Sequence, residues 1–396
     1  MPGPRLPKRV TDIAVAPFDR LNTRAAELRA RGHHVISLGQ ALPPFGPPPV
    51  AIDASRSALD RAEAHVYSPD AGLLSLREAL CARLASAHDV RATPDELIIT
   101  AGGNQAFMLA AMTLIDAGGD VILPSPYFVN HEMALRAIGG LPIEAPLGER
   151  DGFAVRWNDV EPLLTAHTRA VVVCTPSNPT GAVADRTELT RIARELARRG
   201  ILLIVDETYM HFVYDAEHWS IASLLEWREN VILVSTFSKS FGMTGWRVGY
   251  LLADRAVCEE AIKIQDAMII CAPVVSQIGV EAAIRECWNY PCSFRGELIA
   301  RRQLLIARME RIPRLHWTPT GGGFFAFVRV DGCQDAIGLA CDILERAHVV
   351  VVPGTIFGRT GEGFIRLSYG SVSQQDLGKA LDRLERYFAK PNQTRI

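Results

Sequence analysis

Lys239 stands in Ser235-Thr236-Phe237-Ser238-Lys239-Ser240-Phe241-Gly242, just past an apolar run, and Arg247 follows in Thr244-Gly245-Trp246-Arg247-Val248-Gly249-Tyr250. A lysine attacks an aldehyde when burial or a neighbouring cation lowers its pKa. Thr236 and Ser238 flank it with hydroxyls, and together with Arg247 they compose a clamp for a phosphate. Gly102-Gly103-Asn104-Gln105 also follows an apolar run and opens a helical pattern. Glycines there let backbone approach an anion, and a helix start offers unpaired N–H groups and a favourable dipole; a plain strand–helix turn is the other reading. The segment is not a G-x-G-x-x-G fingerprint, and no G-x-x-x-x-G-K-[ST] occurs anywhere in the chain.

Asp206 ends the run Ile201-Leu202-Leu203-Ile204-Val205. A carboxylate emerging from apolar surroundings needs a partner. A protonated pyridine nitrogen would serve and would make that ring an electron sink, whereas capping of a helix is the competing role. Tyr209 and Asn178, at neighbouring strand ends, could both reach a phenolic oxygen of the same ring, although Tyr209 taken singly reads first as core packing. Phe128, in Pro126-Tyr127-Phe128-Val129, offers a flat face for stacking, or plain core. Arg366 lies in the apolar Phe364-Ile365-Arg366-Leu367-Ser368-Tyr369 and calls for an anion, either a bidentate substrate carboxylate or a structural acid.

These residues share a topological place. Apolar runs at 97–100, 121–123, 170–174, 201–205 and 231–235 alternate with helical patterns at 73–87, 105–116 and 188–199. Strands apolar on both faces that alternate with helices imply an α/β domain, its mostly parallel central sheet covered on both sides. Ligands of such sheets sit at the carboxyl ends of the strands, where the polar signatures fall. The stretch Ala41-Leu42-Pro43-Pro44-Phe45-Gly46-Pro47-Pro48-Pro49 reads as an extended connector. Beyond Tyr290-Pro291 the texture becomes α+β: a helix over 295–311, strands at 324–330, 349–352 and 363–369, and helices over 336–347 and 374–388. The expected division is a large domain at 46–290 and a smaller one made of 291–396 joined by the segment 1–45. Lys390-Pro391-Asn392-Gln393-Thr394-Arg395-Ile396 reads as a polar tail.

With 42 basic and 44 acidic side chains in 396 residues, the chain shows no electrostatic footprint for nucleic acid or an anionic membrane. No apolar run is long enough to span a bilayer and the first residues lack a signal-peptide core. The eight cysteines are scattered without a C-x-x-C pair, which fits reduced thiols in a cytoplasmic protein, and no metal site is expected.

From about Ile36 to Tyr369 the chain resembles the class I/II aminotransferases of the fold-type-I pyridoxal-phosphate family. The resemblance is carried by Asn178-Pro179-Thr180-Gly181, by Asp206-Glu207-x-Tyr209, and by Ser238-Lys239-x-Phe241-Gly242-Met243-Thr244-Gly245-Trp246-Arg247-Val248-Gly249-Tyr250. It implies that Lys239 carries pyridoxal 5'-phosphate as a Schiff base and moves the substrate's α-proton. Asp206 would pair with the ring nitrogen, Asn178 and Tyr209 with the phenolic oxygen, and Phe128 would stack on the ring. Gly103, Asn104, Thr236, Ser238 and Arg247 would hold the phosphate, and Arg366, with Asn178 and the backbone near Gly39, the substrate carboxylate. Tyr67, in His65-Val66-Tyr67-Ser68-Pro69, matches the residue that completes the neighbouring subunit's phosphate site, implying a homodimer. The implied reaction is ping-pong transfer of an amino group from an L-amino acid to a 2-oxo acid. Elimination, cyclisation and amino-acid oxidation stay open on the same scaffold, with a ligand-sensing regulatory domain as a distant alternative. His131 stands near where many relatives carry a tyrosine close to the substrate, so it is expected to alter specificity or proton handling. The stretch Gly39-Gln40-Ala41-Leu42-Pro43-Pro44 departs from the family's glycine-rich pattern. No second arginine or lysine is evident for a side-chain carboxylate, which disfavours aspartate or glutamate as the main donor.

Overall fold

The computed structural model describes residues 6–389, so the expected polar tail at 390–396 lies outside the described residues. Seven strands form the large sheet: β1 (Leu97–Thr100), β2 (Asp120–Ser125), β3 (Leu141–Pro146), β4 (Thr168–Cys174), β5 (Leu202–Asp206), β6 (Val231–Thr236) and β7 (Gly249–Leu252). Their order is β1-β7-β6-β5-β4-β2-β3. All neighbours are parallel except β7, which runs antiparallel to both β1 and β6.

The strands alternate their apolar side chains between two helical layers. Ile204 and Val234 pack with helices α2 (Gly103–Leu114), α3 (Val129–Ile138) and α5 (Arg255–Ile269). Leu203 and Val205 face α4 (Arg186–Ala197), while Leu233 and Leu252 face α1 (Leu74–His88) and α6 (Val274–Cys287). Every residue of β1, β6 and β7 is buried. Burial on both faces is why these strands read as continuous apolar runs rather than alternating ones. Each fully buried Leu, Ile or Val contributes about 1.5–3 kcal/mol.

A second, antiparallel sheet joins β8 (Leu315–His316), β9 (Phe325–Val330), β10 (Val352–Pro353) and β11 (Phe364–Ser368) in the order β10-β11-β9-β8. Helices α7 (Arg295–Met309), α8 (Ala336–Ala347) and α9 (Gln374–Phe388) bury Leu305, Ile343 and Leu381 in the same core as residues 21–45 of the amino-terminal part. The single strand expected at 349–352 is two. Val349–Val350 pairs in parallel with Ile36–Ser37, whereas β10 pairs with β11. The Val349–Val350 pairing joins the amino-terminal segment to this core, and the change of partner at Val351 ends the run that one apolar stretch suggested.

Candidate active site

The carboxyl ends of β4, β5 and β6 and the start of α2 converge on a cleft of about 200 Å³. Gly103, Asn104, Phe128, Asn178, Asp206, Tyr209, Thr236, Ser238, Lys239 and Arg247 all line it. Gly39 and Arg366 adjoin it through Asn178: one Arg366 guanidinium nitrogen donates to Asn178 Oδ1 at 2.8 Å and another to the Gly39 carbonyl. Tyr67 lies elsewhere, 75% exposed on the surface of its own chain.

The anion end is built on Gly102, whose φ of +88° suits glycine alone. A Cβ there would collide with the guanidinium of Arg247. Arg247, itself at φ +54°, lies across the start of α2 and donates to Ala101 O at 3.1 Å, Thr244 O at 3.0 Å and Ser238 Oγ at 3.3 Å. Thr236 Oγ1 accepts the Ser238 N–H at 3.1 Å, donates to the Val248 carbonyl at 3.0 Å and lies 2.9 Å from Ser238 Oγ, which fixes both hydroxyls. The first N–H groups of α2, those of Gly103 and Asn104, have no intrahelical acceptor. Together these are the donors that an anion needs.

Lys239, in the helical turn Phe237–Ser240, donates from Nζ to the Ala41 carbonyl at 2.7 Å. Burial lowers its pKa to about 8, and the charges of Arg366 and Arg247 push the same way. The connector that begins at Ala41 therefore roofs the lysine.

Asp206 shows how a buried carboxylate stays charged. Burial acts to raise its pKa, but the His131 hydrogen bond and charge, with the Thr208 bonds, hold it below the usual range. Oδ2 lies 3.0 Å from His131 Nε2 and Oδ1 accepts the Thr208 N–H at 2.9 Å. The capping alternative fails: residues 208–211 form a turn, and no helix starts there. Burial pushes Tyr209 up, against the pull of Arg366, among the rings of Phe324 and Phe325. Burial likewise lowers Arg366 to about 10, leaving it cationic at neutral pH.

His131 is buried behind the cleft, stacked on Phe107 and edge-on to Phe128, and it does not line the cleft. Its ring reaches the cleft through Asp206. Cys174, Thr208 and Thr244 line the cleft and were not singled out in the sequence. For Cys174 and Thr208 the signal was available, because both sit at or just past the carboxyl ends of β4 and β5. Among the described residues no cluster of His, Cys, Asp or Glu could hold a metal, and no helix is long and apolar enough to cross a membrane.

Fold and cleft together define an α/β protein whose cleft sets a lysine beside a cluster of donors suited to an anion. Residues 33–384 match the family described as aminotransferase class I and II. The chain is 33% identical to a probable aspartate/prephenate aminotransferase of Aquifex aeolicus, over 96% of this chain and 98% of that one. Among solved structures, an aromatic aminotransferase of Pyrococcus horikoshii superposes with a TM-score of 0.86 at 34% identity, covering 93% and 98% of the two chains. A single mutant of Thermus thermophilus aspartate aminotransferase does so with a TM-score of 0.91 at 32% identity, covering 98% and 100%. The chain belongs to the class I and II aminotransferase family, and it is a transferase of amino groups. Members of this family generally depend on pyridoxal phosphate.

Proposed function

We propose that the cleft binds pyridoxal 5'-phosphate through Lys239 and that the chain carries an amino group from an L-amino acid to a 2-oxo acid in two half-reactions. The observation that carries this reading is the half-buried Lys239 amine lining the cleft, its pKa lowered to about 8 by burial and by the charges of Arg366 and Arg247. A substantial neutral fraction near physiological pH is what a lysine nucleophile requires.

The surrounding groups suit the cofactor part by part. The N–H groups of Gly103 and Asn104, the hydroxyls of Thr236 and Ser238, and Arg247 would hold the phosphate. Arg366 Nε is buried without a partner among the described residues, a donor that a substrate carboxylate would satisfy. When bound, the cofactor supplies a protonated aromatic ring that stabilises negative charge at the substrate's α-carbon. The chain's own residues do the rest. Asp206, kept ionised, would accept the hydrogen bond from the ring nitrogen. Asn178 and Tyr209 would bond the phenolic oxygen, and Phe128 would cover one ring face. Arg366, with Asn178 and the Gly39 backbone, would orient the substrate carboxylate, and Lys239 Nζ would take up the α-proton and return it.

Two further readings belong to this proposal. The exposed Tyr67, on a stretch that also exposes Leu59, Val66 and Leu74, supports a homodimer in which Tyr67 reaches the neighbouring cleft. Residues 1–45 with 291–396 as one lobe and 46–290 as the other is supported by the separate cores of the two sheets. The test of function is the visible spectrum of the purified protein before and after L-amino acids, aspartate and phenylalanine among them. A yellow band that bleaches with release of stoichiometric 2-oxo acid is expected. Release of ammonia would move the reading to elimination or oxidation, and a colourless protein that cannot be reconstituted would overturn it.

A further inference from the structure

Glu207 follows Asp206 yet turns away from the cleft, and both it and His218 are buried. His218 Nε2 lies 3.0 Å from Glu207 Oε2. The second carboxylate oxygen, Oε1, has no partner among the described residues. Tyr250 and Ser235, register-paired on β7 and β6, lie buried beside it. His88, at the end of α1, sets its ring edge-on to His218 with centroids 5.4 Å apart, and both its ring nitrogens are unpartnered. His211 lies edge-on to Trp288 at 5.1 Å. A buried carboxylate with a single side-chain hydrogen-bond partner depends heavily on that partner.

The pair closes a loop. Residues 207–218 carry Tyr209 near one end, and their middle docks on the second sheet's approach segment. Tyr214 N–H donates to Gly321 O at 2.8 Å, Gly323 N–H donates to Phe212 O at 2.8 Å, and Val213 bridges Gly322. The middle of the loop is thus held to the approach of the second sheet. At the loop's root the Glu207 N–H bonds to Val234 O at 3.0 Å and the Thr208 N–H to Asp206 Oδ1 at 2.9 Å, and the His218–Glu207 bond joins the two ends.

We propose that Glu207 and His218 are positioning residues for the reaction: their bond closes the loop at its root and thereby sets Asp206 and Tyr209 against the cofactor. The inference rests on the reading that pyridoxal phosphate occupies the cleft. It assigns work to two side chains that touch neither cofactor nor substrate. A structural tie alone would stabilise the fold without changing what the two cleft residues do.

The test compares His218→Leu, His218→Gln and Glu207→Gln with the wild type. Three quantities are read: the dissociation constant for pyridoxal phosphate by equilibrium dialysis, the pH midpoint of the loaded protein's visible band, and the melting temperature. His218→Leu is expected to weaken cofactor binding by about tenfold or more, the scale of one charge-assisted hydrogen bond, and to displace the band's midpoint. His218→Gln, whose amide N–H can still reach Glu207, is expected to restore both toward wild type. Should His218→Leu fail to fold, Glu207→Gln, which keeps the volume and removes the charge, decides on the same two readouts. Equal losses of melting temperature in the variants, with cofactor affinity and midpoint at wild-type values, would overturn the proposal. A wild-type protein that binds no cofactor would overturn the underlying reading and this one with it.

Discussion

His131 Nε2 sits 3.0 Å from Asp206 Oδ2, so the carboxylate at the end of β5 is backed by an imidazole from α3. That bond and the Thr208 bonds outweigh burial and keep Asp206 ionised. Replacing His131 by Phe removes one of them and raises the Asp206 pKa. Because Asp206 acts as the anion, its function is lost as pH falls through that value, and the loss then begins at higher pH. The acid limb of the kcat/KM profile is expected to move upward in His131→Phe. Asp206→Asn should lower kcat by about 10²–10³, the scale of losing one preorganised electrostatic partner. An unmoved acid limb would separate His131 from the function of Asp206.

Lys239 makes an opposite prediction for stability. Its folded pKa is about 8 against 10.5 for the free side chain. Between those values the unfolded chain holds more protons, so stability rises with pH across that window, and the penalty is fully present below about pH 8. In the cofactor-free protein, Lys239→Met is expected to raise stability at pH 7 by up to about 3 kcal/mol, less whatever the bond to Ala41 O contributes. Denaturant melts of the two cofactor-free proteins measure it. The same variant should lose the borohydride-reducible attachment of pyridoxal phosphate, read by mass spectrometry.

Arg366 holds Asn178 and Gly39 through two nitrogens while its third points at no described partner. A lysine keeps the charge but not the planar fork. Arg366→Lys is expected to lower kcat/KM about a hundredfold, mainly through KM, in line with about 1.5–3 kcal/mol for a charged hydrogen bond. Steady-state kinetics with the best donor of the panel check this, and a kcat-only defect would place the arginine outside carboxylate binding.

Acid should loosen the region behind β5. Burial chiefly, with neighbouring imidazoles, lowers His88 to about 4 and His211 to about 3 from 6.5. Both are neutral in the folded chain, so stability is intact above about pH 6.5 and is lost as pH falls below it, when the unfolded chain takes up protons first. At pH 5.5 each contributes a loss of about 1.4 kcal/mol. The double variant His88→Phe/His211→Phe is expected to flatten the decline in stability between pH 6.5 and 5, measured by urea midpoints.

The cleft was legible in the sequence because its residues follow apolar runs that only one fold class explains. Asn178, Asp206 and Lys239 each sit at or just past a strand's carboxyl end, and backbone geometry places such positions with little help from the rest of the chain. The cleft side of β7 was harder. Gly249-Tyr250-Leu251-Leu252 is short and sits inside the motif that also carries Arg247, so nothing local marks it as a strand or as antiparallel. The partner of His131 was hidden for a related reason: it lies 75 residues away, and only the packing of α3 on the sheet brings the two together. Val349–Val350 and Val352–Pro353 look like one run because the change of partner at Val351 leaves no trace in hydropathy.

The placement of β7 between β1 and β6 has a bearing on how the protein is made. β1 hydrogen-bonds to a single strand, and that strand lies about 150 residues further along the chain. Gly102 and Gly103, which follow β1, therefore gain their final setting only after residue 252 has left the ribosome, together with Arg247, which must lie across them. Until then β2 to β6 can assemble as parallel neighbours while the phosphate end of the cleft has no floor. A nascent chain stalled before β7 should be folded in its centre and unable to retain the cofactor, so the order of synthesis makes cofactor capture a late event in the life of each molecule.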